Sequence, residues 1–362
     1  MRTLILLIAL GLGIPASTHP RVSSFKEEEI SFKNGDIELS GTLTLPVTSG
    51  QHPALVMITG SGPQNRDEEV AGFKSFKIIA EYLSEHGIAV LRCDDRGVGH
   101  SKGPSVFEST DQDFATDVIA GIKYLETRND IYPKQIGLFG HSEGGTVAPL
   151  VYTKYTGIAF MIIMAGPAGV SGADALLEQQ FAIGKAAGSS DTEITAGIKY
   201  YKGLFDVLKK TKDTASLTAY IRNGAMERFN LLPPEEKEKT DTAVFIKTIL
   251  QRDMHLFNTT WFRALIEFNA KPYLEKVTCP VLMLWGGKDL QVSRRQNEQQ
   301  MLGALKKAGN KNVTSKLFEN ANHLFLNAVT GSPSEYKTLP KEFVTGFLPF
   351  ISEWLHKNKI II

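Results

Sequence analysis

Six short, mostly apolar runs recur along this chain, at 54–59, 88–93, 135–139, 158–165, 280–285 and 313–318, the last with Thr314, Ser315 and Lys316 in its middle. Each is too short for a packed helix and lacks the polar alternation of a half-exposed strand, so each predicts a strand covered on both faces. Most are separated by stretches whose apolar residues fall three and four apart. Residues 72–86 carry Phe73, Phe76, Ile79, Ala80 and Leu83 on one helical face, with Gly87 as the stop. Residues 113–127 do the same with Phe114, Val118, Ile122 and Leu125, and further helices are expected over 144–155, 294–307 and 341–356. Strands alternating with helices require crossover connections, hence a mostly parallel sheet with helices on both faces. Ahead of the first run, 29–32 and 37–45 alternate in polarity about Asn34-Gly35-Asp36, the mark of an antiparallel hairpin. Hairpin and runs together predict an eight-stranded α/β sheet.

The pattern breaks between Pro167 and Lys271. Helical stretches at 173–187, 192–210, 214–226 and 242–250 replace strands there, so 168–270 is expected to be a helical cap inserted into a core made of 24–167 and 271–362. A chain of 362 residues then holds one α/β domain of ordinary size plus its insertion. Residues 1–18 combine Arg2, a short apolar run and Pro15-Ala16-Ser17-Thr18, which reads as a cleavable secretory signal and predicts an exported protein, periplasmic or extracellular. No later run reaches the ~20 residues of a spanning helix, so no stable membrane insertion is expected. Forty Lys and Arg against 39 Asp and Glu leave a charge of +1, which argues against a nucleic-acid partner. Cys93 and Cys279 are too few for a disulfide framework or a four-cysteine zinc site and read as small buried hydrophobes.

The chemistry concentrates in Gly140-His141-Ser142-Glu143-Gly144, which follows an apolar run and precedes a helical stretch. Glycines on both sides of a serine let the backbone turn sharply between strand and helix, leaving the hydroxyl exposed at the helix N-terminus. A serine hydroxyl attacks only when a base takes its proton, and the base needs an acid to hold its tautomer. Asp289, in Gly286-Gly287-Lys288-Asp289, and His323, in Ala321-Asn322-His323, follow the fifth and sixth runs and complete the order Ser, Asp, His. Glu319 is a substitute acid. His86, His100 and His141 precede the serine, His255 lies in the insertion and His356 in the last helix, so none is a better base. The Glu143 backbone N–H is one expected oxyanion donor, and Ser61 or Gly62, in the loop Thr59-Gly60-Ser61-Gly62-Pro63, supplies the second. Phe257, Trp261 and Phe262 are candidate pocket residues of the insertion. With no HExxH pattern or clustered Cys and His, no metal or organic cofactor is expected.

Taken with Asp95-Arg96-Gly97-Val98-Gly99-His100-Ser101, these motifs resemble the α/β-hydrolase superfamily. The Gly60–Asp67 loop is similar to that of bacterial serine carboxylesterases near the S33 serine aminopeptidase group. The resemblance runs from about Ile30 to Leu355, with the insertion matching only in being helical. Many such relatives begin the oxyanion loop with His-Gly, where Thr59-Gly60 stands here. It implies hydrolysis of a small-molecule carboxylic ester through an acyl-enzyme on Ser142. Two other readings are carried forward. An exported aminopeptidase or acyl-peptide hydrolase would use the same triad with an acidic residue such as Glu178 or Glu227 on the substrate amine, and a non-catalytic binding protein would use the fold alone.

Overall fold

The computed structural model describes residues 24–361. The signal reading of 1–18 falls outside them. The core opens with β1 (Phe25–Asn34) and β2 (Ile37–Pro46), continues through β3 (His52–Ile58), and passes a two-residue-per-strand hairpin, β4 (Glu69–Val70) and β5 (Phe73–Lys74). Then come α1 (Ser75–Glu85), β6 (Ala89–Cys93), α2 (Asp111–Glu126), β7 (Ile131–His141), α3 (Gly144–Lys154) and β8 (Ile158–Met164). Six helices follow: α4 (Gly172–Ala186), α5 (Asp191–Lys210), α6 (Thr214–Asn230), α7 (Pro234–Lys239), α8 (Thr242–Phe257) and α9 (Thr260–Glu267). The chain returns through α10 (Lys271–Leu274), β9 (Val281–Gly286), α11 (Arg294–Lys307), β10 (Val313–Phe318) and α12 (Phe347–Lys357).

The main sheet has eight strands in the order β1-β2-β6-β3-β7-β8-β9-β10, antiparallel as far as β6 and parallel from there on. The opening hairpin turns at Gly35 (φ +59°) with Asn34 paired to Ile37. Alternate residues of the inner strands feed opposite layers, whereas β10, expected to be covered on both faces, lies at the sheet edge and is largely half-buried, with Thr314, Ser315 and Lys316 in its middle. Val56, Ile58 and Leu138 point into the layer covered by α2 and α3, while Leu55, Met57 and Phe139 face the layer of α1 and α12. The cap helices close over an apolar cluster of their own that includes Leu204, Phe205, Leu217, Ile221 and Phe257. Side chains of Ser171, Ser190, Asp213, Asp241 and Thr259 cap the N-termini of α4, α5, α6, α8 and α9. Among the described residues, no helix is long and apolar enough to cross a membrane.

Two helices begin later than their apolar spacing predicts. α1 starts at Ser75, not 72, because Gly72 (φ +81°) turns the small hairpin. α12 starts at Phe347, not 341, because Gly346 (φ +83°) reverses the chain just before it and Phe343 stacks on Phe347 from outside the helix. In the cap, α8 runs to Phe257, well past the expected 250, and the short α7 and α9 carry too few turns to show a period.

Candidate active site

β7 delivers Ser142 to the carboxyl edge of the sheet in the left-handed region, φ +51°, where its N–H donates to the Met164 carbonyl at 3.0 Å. A non-glycine residue pays for that conformation, and the flanking glycines explain how the turn is possible. A Cβ on Gly140 would stand 2.2 Å from the Gly144 carbonyl oxygen, and one on Gly144 only 2.1 Å from that of Ile58. Strand β3, the elbow and the first turn of α3 thus touch backbone to backbone.

His323 stands on the loop after β10 and Asp289 on the loop after β9. The His323 Nδ1 lies 2.9 Å from Asp289 Oδ2, while Asp289 Oδ1 accepts the N–H groups of Gln291 and Val292 at 2.8 and 2.9 Å. With its carboxylate so held, Asp289 fixes the imidazole with Nδ1 as donor and Nε2 free to accept a proton. Gly286 and Gly287 let the two loops close-pack, since Cβ atoms there would meet backbone oxygens of Ala321 and Glu319 at 2.6 and 2.4 Å. The Glu319 side chain is exposed, and Asp289 occupies the position it would need.

Ser142 and His323 face one cavity of ≈ 540 Å³ roofed by the cap. Phe257, Trp261 and Phe262 all line it, as do Glu143 and Ser61, whereas Gly62 is not among its lining residues and borders a separate narrow void. Gly60 cannot serve as a donor because its N–H is committed to Glu68 Oε1 at 2.7 Å. Of the two residues proposed from sequence for the second donor, Ser61 is therefore the one that reaches the cavity.

The loop bearing Ser61 is tied down by ion pairs. Asp95 accepts the Thr59 hydroxyl at 2.6 Å and the Gln64 N–H at 2.9 Å, and burial pushes its carboxyl up to about 7 in spite of those bonds. Arg66 holds Asp94 at 2.8 Å and also Glu29 of β1; Arg92 holds Glu27 of β1 at 2.7 Å and also Asp67. The Glu143 side chain accepts the Trp261 indole N–H at 3.0 Å. Burial, reinforced by the neighbouring Asp111, raises that carboxyl well above the usual range, against the pull of the Ser61 and Trp261 hydrogen bonds.

Two residues with no role expected from the sequence stand behind Ser142, Asp289 and His323. His141 is buried, with Nδ1 2.8 Å from Glu68 Oε1 and Nε2 3.0 Å from the His323 carbonyl oxygen. Adjacency to the serine was the only signal for His141, and Glu68 offered none, because its place depends on a loop folding back. The acids that an amine-binding reading would use lie outside the cavity lining: Glu178 pairs with Arg295 at 2.7 Å, and Glu227 is exposed on α6. Among the described residues no group of three or more His, Cys, Asp or Glu is placed to hold a metal ion.

The sheet order, the serine on its elbow and the cap before β9 are those of the α/β-hydrolase fold. A family model described as serine aminopeptidase, S33, matches residues 72–192. The chain is 26% identical over 323 residues to esterase EstD of Thermotoga maritima, covering 89% of this chain. It spans 64% of that relative's length. Solved structures of the same fold include esterase Pf2001 of Pyrococcus furiosus, at 18% identity and TM-score 0.53 with 95% of this chain and 96% of that one covered. Another is the proline iminopeptidase of Mycobacterium smegmatis, at 17% identity and TM-score 0.55 with 92% and 99% covered.

Proposed function

We propose that the protein is a serine hydrolase that cleaves carboxylic esters of small, uncharged molecules. The observation that carries this reading is one cavity onto which an elbow serine and an Asp-oriented histidine both open, with no lysine, arginine or aspartate among its lining residues. In the proposed cycle, His323 Nε2 takes the Ser142 proton as Oγ attacks the ester carbonyl. The Glu143 and Ser61 amides hold the oxyanion, and the imidazolium returns its proton to the leaving alcohol. Water, deprotonated by the same histidine, then releases the acid and frees Ser142. The resemblance to esterase EstD supports the ester as substrate.

An aminopeptidase needs an anion for the substrate's ammonium group. The two acids on the cavity wall, Glu68 and Glu143, are both engaged, the former with His141 and the Gly60 amide and the latter with Trp261. That favours the ester over the amide reading. Turnover of p-nitrophenyl esters of two to twelve acyl carbons, beside aminoacyl naphthylamides, is the test. Ester turnover abolished by Ser142→Ala is the expected result; faster cleavage of the amides would replace the ester reading, and absent labelling of Ser142 by a fluorophosphonate would leave a binding protein.

A further inference from the structure

His141 presents both ring nitrogens to acceptors. A carbonyl oxygen lies 3.0 Å from Nε2 and a carboxylate oxygen 2.8 Å from Nδ1, so a neutral ring would set a lone pair against one of them. Glu68 meets it in a matching state. Its Oε1 also accepts the Gly60 N–H, so two N–H groups converge on that one oxygen, and its Oε2 lies 3.2 Å from the Ser75 hydroxyl, a set of contacts that a carboxylate can fill wholly as acceptor. Both side chains are buried, and Glu68 adopts a left-handed backbone (φ +46°) that brings its carboxylate into this position.

We propose that Glu68 and His141 form a buried ion pair that positions the catalytic base and the oxyanion loop together. The imidazolium grips the backbone of His323, whose ring centroid lies 4.8 Å from its own, and the carboxylate on its other side grips Gly60, next to Ser61. The span from the β10 loop to the β3 loop is thereby fixed through two side chains, with His141 anchored in the strand that ends at the nucleophile. Burial alone would drive the ring neutral; the Glu68 charge and hydrogen bond, the His323 carbonyl and Asp289 outweigh it and raise its basicity. The titratable groups around the pair are Asp95 after β6, Glu143 at the elbow, Asp289 after β9 and His323 after β10. The pair acts through the loops it holds and touches no reacting atom.

The kinetic half of this inference rests on the serine-hydrolase reading; the spectroscopic half does not. Nitrogen NMR of the full chain with ¹⁵N-labelled histidine reads the ring directly, with His141→Phe assigning the signal. His141 is expected to carry both ring protons at pH 7.5 and to lose one in Glu68→Gln, which keeps the size of the partner and removes its charge. A neutral ring in the wild type, or a doubly protonated one in Glu68→Gln, overturns the ion pair. The rate at which a fluorophosphonate labels Ser142 is expected to fall at least about tenfold in Glu68→Ala and His141→Phe with native circular dichroism retained. A smaller fall overturns the positioning role, and Glu68→Ala alone decides it should His141→Phe fail to fold. If the wild type is not labelled at all, the hydrolase reading fails, and with it the positioning of a base, while the ring measurement still decides the ion pair.

Discussion

At Ser142 the backbone and the chemistry make opposite demands, since the hydroxyl is useful only where an L-residue is strained. Replacing Ser142 by Ala removes the proposed nucleophile without disturbing the turn, and ester turnover is expected to fall by about 10⁴-fold or more, measured as kcat on p-nitrophenyl acetate. Gly144→Ala tests the turn itself. The added methyl would stand 2.1 Å from the Ile58 carbonyl oxygen, and a loss on the order of 3 kcal/mol in urea unfolding is expected. Glu143 yields a prediction in pH. Its carboxyl stays neutral in the fold well above the ordinary value of 4.5, while in the unfolded chain it ionises near that value. The unfolded state therefore gains as pH rises through 5 and beyond, and this residue makes the protein less stable toward alkaline pH. Urea midpoints between pH 5 and 8 should decline less steeply in Glu143→Gln, which copies the neutral acid; an unchanged slope refutes the neutral carboxyl.

Among the elements, α9 links cap and catalytic centre through one bond, the Trp261 indole to Glu143. Trp261→Phe keeps the ring in the cavity and removes that donor. A loss of about 1 kcal/mol and a raised KM for bulky esters are expected, read by urea unfolding and by kinetics on a chain-length series. Five buried strands, the hairpin and most core helices were legible because burial on both faces leaves a pattern in the residues themselves; β10, at the sheet edge, was found by its place in the alternation and not by burial. α9 was not: at Thr260–Glu267 it is two turns long, too short for a period to declare itself. The same contrast holds in the site. Ser142 sits in a motif with a mechanical meaning, and Asp289 and His323 follow strand ends, so chain order pointed to them. Choosing Ser61 over Gly62 required knowing which of the two borders the cavity beneath the cap, a meeting of loop and insertion that no local pattern records.

Across the whole molecule, the cap's apolar cluster is distinct from the two layers that sandwich the sheet, drawing on the core only at residues such as Val106. Amide hydrogen exchange should therefore be faster in α5 to α8 than in β3, β7 and β8, where residues such as Leu55, Leu138 and Ile162 are wholly buried. Uniform protection would mean that cap and core open as one unit. Export, proposed from residues 1–18, is checked by the N-terminus of the secreted protein, expected to begin near residue 17 or 19. One consequence of the ion pairs at the sheet margin concerns where this chain can be cut. β1 is the outermost strand, far in sheet order from the serine, yet its Glu27 and Glu29 meet the arginines that clasp Asp67 and Asp94 around the oxyanion loop. Proteolytic trimming into that strand would slacken a tether running from the rim of the sheet to the loop that carries Ser61, so a chain cut at Ile30 is expected to keep Ser142, Asp289 and His323 in place and to turn over esters more slowly.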